Sequence, residues 1–130
     1  AKAIADMKGS RLVACHSRSP EKGAEFVKAF GGKAYTDLAA MLADPDVDVV
    51  TICTPSGAHL EPGIAAARAG KHVLVEKPLE ITPARCDKLI AACEKEGVRL
   101  GTIFPSRFHR SAQLLKQAVE GGRFGAIALA

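Results

Sequence analysis

Several features that would place a protein in a broad class are missing from these 130 residues. No apolar stretch approaches the roughly 20 residues needed to cross a bilayer, and no signal-peptide pattern opens the sequence. The 18 lysines and arginines are scattered, so the net charge of +4 gives no basic run of the kind that grips nucleic acid. We therefore expect a cytoplasmic protein that binds neither a membrane nor nucleic acid.

Cysteine pairs with metal-ligand spacing are also missing, because the four cysteines form no Cys-x-x-Cys motif. Cys15 and Cys53 lie in apolar, strand-like runs, where cysteine behaves as a small hydrophobic residue. Cys86 and Cys93 share one face of a predicted helix but are too distant along it for one tetrahedral metal site. The histidines show no ligand spacing either. We expect four reduced core thiols and no metal site.

What the sequence does contain is an alternation of strands and helices. Its length suits one domain, and 48% hydrophobic with 25% charged residues is ordinary globular composition. Alternating strands and helices predict a doubly wound, mostly parallel α/β sheet with helices on both faces. The predicted strands are residues 11–16, 33–35, 47–53, 72–76, 99–104 and 126–129, and the predicted helices are residues 1–8, 20–30, 36–42, 59–69, 83–96 and 109–120.

The most informative predicted strand ends in Glu76-Lys77-Pro78. The run 73–75 (Val-Leu-Val) is typical of a buried parallel strand, and ligands bind outside the carboxyl ends of such strands. Pro78 fixes its own φ and pushes Lys77 toward an extended backbone, which limits where the lysine points. Lys77 is therefore a candidate reacting group. The alternative is an ordinary solvated lysine before a turn.

Other motifs follow the neighbouring strands at comparable positions. Thr54-Pro55 with His59 follows one strand, and residues 106–108 (Ser-Arg-Phe) follow another. Together with Glu76-Lys77-Pro78 and the intervening run 67–75, this set resembles the Gfo/Idh/MocA family of nicotinamide-dependent oxidoreductases, which act mostly on sugars and cyclitols. The likeness covers essentially all 130 residues in the family's order and spacing.

The resemblance implies an NAD(P)-binding Rossmann domain that is incomplete at both ends. Residues 1–8 match the remainder of the family's first helix. The first strand and its Gly-x-Gly-x-x-Gly turn are missing, since that motif occurs nowhere and the glycines of 121–125 follow a predicted helix. The C-terminal substrate domain, which carries an assisting Asp and His in the family, is also absent. We expect residues 1–130 to be this incomplete domain.

The missing first strand has a structural consequence. In the strand order 3-2-1-4-5-6 it is central, so its absence exposes two strand edges, which are templates for pairing. We expect the gap to be filled by a segment outside this sequence, by a swapped partner or by a non-native sheet arrangement. We also expect a homo-oligomer formed through exposed or swapped strands.

The resemblance assigns a catalytic role to Lys77, which hydrogen-bonds the reacting hydroxyl and helps move its proton as hydride passes to the nicotinamide. Lysine suits this task because its pKa falls readily near other cations or on desolvation. Glu76 would line the nicotinamide pocket, with a helix-capping or ion-pairing carboxylate as its alternative. Arg107 would lie near the substrate, with an ion pair to a helix carboxylate as its alternative.

The remaining matched residues concern the cofactor. Thr54 and Pro55 match the turn beside the ribose and nicotinamide, and a plain strand-to-helix turn is compatible with that role. His59 matches a histidine that is frequent at this helix start, where a structural role is the alternative to a ligand contact. At Ser17-Arg18 no acid is present for the ribose 2′-hydroxyl. Because arginine binds phosphate bidentately, NADP is favoured over NAD, unless Arg18 is only a solvated loop residue.

The resemblance implies an NAD(P)-dependent dehydrogenase that oxidises a secondary hydroxyl of a sugar or cyclitol, or runs in reverse. We expect the isolated chain to be inactive. One alternative is a non-catalytic, Rossmann-like module that binds a nucleotide or a partner. Another is a flavodoxin-like or receiver-like domain, which would show the strand order 2-1-3-4-5.

Overall fold

The computed structural model describes residues 1–128, and within them parallel strands alternate with helices as predicted. The strands are β1 (Ala14–His16), β2 (Lys33–Tyr35), β3 (Val49–Ile52), β4 (His72–Val75) and β5 (Leu100–Thr102). The helices are α1 (Lys2–Asp6), α2 (Pro20–Phe30), α3 (Leu38–Leu42), α4 (Leu60–Arg68), α5 (Pro83–Lys95) and α6 (Arg110–Glu120), with a 3₁₀ helix at Pro105–Phe108. Residues 126–128 form no strand, and Leu129, the end of the predicted sixth strand, lies outside the described residues.

The helix starts follow from the capping residues that the sequence supplies. Ser19 accepts a hydrogen bond from the backbone N–H of Lys22 and precedes a proline at the start of α2. Thr82 does the same for Arg85 before the proline that starts α5. An N-cap hydroxyl followed by proline is a local start signal, which is why these two starts are predictable from the sequence.

The strands form two separate sheets. One contains β1 and β2, and the other has the order β3-β4-β5. Within residues 1–128, β1 pairs only with β2 and β3 pairs only with β4, so each has one open edge. The two predicted exposed edges are therefore confirmed. A flavodoxin-like sheet would require β1 to pair with β3, and that pairing does not occur among these residues.

The hydrophobic core lies where α4 and α5 pack against the three-stranded sheet. Val50 and Ile52 of β3 and Val75 of β4 are buried, as is Leu89 of α5. Burying each such side chain contributes about 1.5–3 kcal/mol. Val49, which alternates with the buried residues of β3, is 52% exposed, so this face of the strand is uncovered in the described chain.

The cysteine prediction is confirmed only in part. All four thiols are free, and Cys93 is buried in the core, while Cys15 and Cys86 are half-buried. Cys53, in contrast, is exposed, so its prediction as a core thiol is wrong. It follows directly after β3, which has no strand paired to its outer edge within residues 1–128. The apolar run around Cys53 predicts burial, but it carries no information about whether a neighbouring strand is present.

Candidate functional site

Strand register brings the predicted motifs to one edge of the three-stranded sheet. Ile52 of β3 lies beside Val75 of β4, which lies beside Thr102 of β5. The turns that follow these strands therefore meet at the same edge, where Thr54 and Lys77 lie. Parallel α/β sheets bind ligands at this edge because their loops converge there.

Lys77 occupies an open pocket at this edge. Its side chain is exposed, and the peptide bond to Pro78 is cis. The pocket has a volume of about 420 Å³ and is lined by Lys77, Pro78, Phe104, Pro105 and Ser106. Within residues 1–128 the amine of Lys77 makes no hydrogen bond or ion pair, although its backbone N–H does. The amine is therefore available to a polar group placed in the pocket.

Glu76 directs its carboxylate back onto the turn. Its Oε2 accepts a hydrogen bond from the backbone N–H of Lys77 at 3.0 Å, and its own N–H donates to the carbonyl of Ile52. Cys53 is exposed at its surface, but partial desolvation by the surrounding chain raises the pKa of its thiol, and the nearby carboxylate of Glu76 raises it further. Glu76 thus orders the start of the turn and places negative charge beside the end of β3.

His59 connects the turn after β3 to the turn after β4. The residue is only 1% exposed. Its Nε2 lies 2.9 Å from the carbonyl oxygen of Thr54, and its Nδ1 lies 3.0 Å from that of Pro78. The Thr54 hydroxyl donates to the carbonyl of Ala58 at 2.8 Å. These contacts fit a structural role for His59, which was the alternative to a ligand contact. A contribution of His59 to cofactor binding stays a prediction.

A buried ion pair that the sequence did not reveal supports these turns. The Glu80 side chain is fully buried and accepts from Nε of Arg85 at 3.0 Å. This hydrogen bond is the main reason that the pKa of Glu80 falls to about 2, with backbone N–H donors contributing against the opposing effect of burial. No local pattern marks Glu80 as buried, since it occupies a turn where an acidic residue is ordinarily solvated.

Ser17 and Arg18 lie at the carboxyl end of β1, in the other sheet. The N–H of Ser17 donates to the carbonyl of Tyr35 at 2.9 Å, and its hydroxyl accepts from the N–H of Ser19. Arg18 is exposed and forms no ion pair within the described chain. Among residues 1–128 no hydrogen bond joins these two residues to the group around Lys77, so the predicted cofactor residues form two clusters.

Arg107 packs against an aromatic ring instead of a carboxylate. Its guanidinium carbon lies 5.1 Å from the centroid of the Phe104 ring, within cation–π range. The predicted alternative, an ion pair with a helix carboxylate, is not formed among residues 1–128. Since Phe104 lines the pocket of Lys77, the arginine lies beside that pocket.

Residues 1–128 contain no group of three or more metal-ligating side chains, and none of their helices has the length and apolarity needed to span a membrane. A larger depression of about 800 Å³ lies between α3 and α4. It contains none of the predicted site residues, so the carboxyl edge of the sheet remains the candidate.

Comparison with known proteins identifies what the chain is similar to. A family model described as an oxidoreductase family with an NAD-binding Rossmann fold matches residues 1–104. A 1,5-anhydro-D-fructose reductase from Ensifer adhaerens is 38% identical over 118 residues, which cover 90% of this chain and 35% of that protein. A myo-inositol 2-dehydrogenase from Thermotoga maritima is 44% identical over 93 residues, covering 72% and 28%.

Solved structures agree with these sequence matches. The WlbA dehydrogenase from Bordetella pertussis, in complex with NADH and UDP-GlcNAcA, superimposes with a TM-score of 0.91 at 35% identity, covering 97% of this chain and 37% of that one. The scyllo-inositol dehydrogenase from Lactobacillus casei, with bound NAD(H) and scyllo-inositol, gives a TM-score of 0.88 at 29% identity, covering 97% and 38%. The chain spans roughly a third of the length of such relatives.

Proposed function

The chain belongs to the Gfo/Idh/MocA family, an oxidoreductase family with an NAD-binding Rossmann fold, and we propose that it is the cofactor-side part of an NAD(P)-dependent dehydrogenase. The proposed reaction oxidises a secondary hydroxyl of a sugar or cyclitol, or runs in reverse. The main support is Lys77, whose amine is unpaired within residues 1–128 and lies at the edge where three strand ends meet. The inositol dehydrogenase among its relatives supports the substrate class.

The side chains of this site suit the nicotinamide and its ribose better than the pyrophosphate in the middle of the dinucleotide. Thr54 and Pro55 follow β3, and Glu76 and Lys77 follow β4, so these residues suit the ribose and nicotinamide. His59 contributes from behind the same turns. Because the sequence has no Gly-x-Gly-x-x-Gly turn, we assign no residue of this chain to the pyrophosphate.

Lys77 would perform the proton step of the reaction. A bound nicotinamide supplies the hydride acceptor or donor. The amine of Lys77 would hydrogen-bond the reacting hydroxyl, take its proton as the carbonyl forms, and return a proton in the reverse direction. Glu76 would keep the backbone of Lys77 in place through the 3.0 Å hydrogen bond to its N–H. Arg107, beside the same pocket, would hold a substrate hydroxyl at a distance from the reacting carbon.

The shape of the Lys77 pocket indicates whether the isolated chain could turn over a substrate. It is open, and its lining comes from the turns after β4 and β5. We propose that residues 1–130 supply only the cofactor-side wall of the active site. The isolated chain would then bind the substrate too weakly for turnover.

For the cofactor we propose NADP in preference to NAD. Arg18 is exposed at the end of β1 with no ion pair within the described chain, and no acidic residue adjoins it in the run 15–19. A guanidinium without a carboxylate partner suits a 2′-phosphate, whereas a ribose 2′-hydroxyl is commonly bound by an acid.

Titration of the chain with NADPH and NADH, followed by nicotinamide fluorescence, tests the proposal. We expect NADPH to bind about tenfold more tightly, since one charge-assisted contact is involved. Arg18→Ala should abolish the preference for NADPH over NADH. Arg123→Ala, which removes another exposed arginine, should leave that preference unchanged. Equal affinities would contradict the NADP preference. Absence of binding by the folded chain would contradict cofactor binding by these residues.

A further inference from the structure

The buried ring of His59 contacts two separate turns. Its two nitrogens face carbonyl oxygens from two different turns, Thr54 on one side and Pro78 on the other. A second carbonyl, that of Leu79, lies 3.3 Å from the same Nδ1. The ring therefore bridges the turn after β3 and the turn after β4.

The chemistry of this bridge is set by its acceptors. Carbonyl oxygens only accept, so each contact requires a proton on the facing ring nitrogen. A neutral imidazole satisfies one carbonyl at a time, and a doubly protonated ring satisfies both. Removing the ring removes the donor from whichever of the two turns it serves, and a carbonyl that loses its donor inside the protein is left unsatisfied.

The backbone of His59 is fixed independently of its ring. Oε1 of Glu80 accepts hydrogen bonds from the N–H groups of His59 at 3.2 Å and of Leu60 at 3.1 Å. The carboxylate thereby caps the N-terminus of α4, which lacks a cap from its own N-cap side chain. Nη2 of Arg85 donates to Glu80 and also to the carbonyl of Gly57 at 3.1 Å. His59 is thus held by groups that belong to both turns.

We propose that His59, held by Glu80 and Arg85, is a positioning residue that sets the placement of Lys77 relative to the Thr54 turn. This inference rests on the proposed function. Because His59 is only 1% exposed, it would act through the two turns and not by touching the ligand. Fixing the carbonyl of Pro78 fixes the residue after Lys77, and with it the origin of the lysine side chain. Sites of this kind lose function when the supporting contacts are loosened by small distances.

The test compares a whole dinucleotide with half of one. NADPH needs both clusters of predicted cofactor residues, whereas 2′-phospho-ADP-ribose lacks the nicotinamide and depends on the cluster at Arg18. In His59→Ala we expect NADPH affinity to fall about tenfold, because binding must then order the loosened turns at the nicotinamide end, with less than a twofold change for 2′-phospho-ADP-ribose. His59→Gln, which keeps a side-chain donor, should recover part of the loss. His109→Ala, at an exposed histidine that starts α6, should change neither affinity.

A second measurement does not depend on binding. NMR relaxation and amide exchange of Lys77 and Leu79 should show increased mobility in His59→Ala and a smaller increase in His59→Gln. The amide of Val73, which bonds to Arg99 within the sheet, should keep its protection and so verify that each variant is folded.

These outcomes separate the two proposals. Equal losses for both ligands in His59→Ala, or unchanged order at Lys77 and Leu79, would overturn the positioning role. Failure of the unmodified chain to bind NADPH would defeat the proposed function, while the order of Lys77 and Leu79 would still decide the role of His59. Tight NADPH binding that His59→Ala leaves unchanged would defeat only the positioning role.

Discussion

The guanidinium of Arg85 and the carboxylate of Glu80 form a two-pronged ion pair. Nε lies 3.0 Å from Oε2 and Nη2 lies 3.1 Å from Oε1. The Glu80 side chain has no exposed surface, whereas that of Arg85 is 29% exposed. The same carboxylate accepts three backbone N–H groups, from His59, Leu60 and Ile81. One buried anion therefore joins α5 to the start of α4.

Replacing this anion should destabilise the protein. Glu80→Gln removes the charge opposite Arg85 and leaves an amide in a site filled with donors, so we expect a loss of roughly 3 kcal/mol in the free energy of unfolding. Urea unfolding followed by circular dichroism measures it. Glu94→Gln, at an exposed position of α5, is the matched control and should change stability by less than about 0.5 kcal/mol. A similar small change for Glu80→Gln would contradict the role of the buried pair.

Acid should weaken the fold through the same carboxylate and through Asp44. The pKa of Glu80 falls from 4.5 to about 2, chiefly because of Arg85. That of Asp44 falls from 3.8 to about 2, chiefly through the N–H of Asp46 and the amine of Lys33. Both groups bind protons more weakly when folded, so their stabilisation is complete above about pH 4.5 and is lost as pH falls toward 2. Urea midpoints measured from pH 7 to 2 should decline over that window, and less steeply in Glu80→Gln.

At Gly63, α4 packs directly against Leu89 of α5. A Cβ at this position would lie 2.6 Å from Cδ1 of Leu89 and 3.5 Å from Cδ1 of Ile52. Gly63→Ala gains up to about 1 kcal/mol of helix propensity, but overpacking against the fully buried Leu89 costs about 1–3 kcal/mol. We expect net destabilisation in thermal or urea unfolding. In a Leu89→Ala background the same change should be neutral or stabilising, and an unchanged cost there would exclude the clash as its cause.

The open edge of β3 should be visible in amide exchange. Asp48 and Ile52 direct their carbonyls toward β4, so by strand alternation the N–H of Thr51 points to the unpaired edge. We expect Thr51 to exchange at least about tenfold faster than Val73 of the central strand. Equal protection would show that another strand covers this edge. Protection that rises with protein concentration would identify a second copy as its source, as the predicted homo-oligomer requires.

Lys77 is the residue on which the proposed chemistry depends. In any form of the protein that turns over, Lys77→Ala should lower kcat by about 10²–10⁴-fold, the usual contribution of a proton-transfer group, with a much smaller effect on NADPH affinity. Initial rates of NADP⁺ reduction with myo-inositol as the hydride donor, together with the fluorescence titration, separate the two effects. Lys88→Ala on α5 is the control. Retention of full kcat in Lys77→Ala would remove this lysine from the mechanism.

The sequence by itself determined the order of the first five strands and the helices between them, and the edge at which the candidate site lies. The β4 strand is marked by a short apolar run, Val73 to Val75. Two helix starts are marked by a capping hydroxyl followed by proline, at Ser19 and Thr82. Each of these signals lies within a few residues of sequence. Once parallel strands are predicted, their carboxyl ends must share an edge. The turns that carry Thr54 and Lys77 must therefore lie at one edge, and the register of β3 and β4 agrees.

The tertiary structure alone decided which polar groups are buried and what they contact. Glu80 and His59 lie in turns whose composition is typical of solvated chain, yet both are buried. Cys53, in an apolar run, is exposed. Arg85 reaches Gly57 across 28 positions of sequence. Burial depends on which distant segments pack around a residue, and a carboxylate or imidazole becomes structural only when those segments supply its donors and acceptors. Such contacts leave no mark in local periodicity.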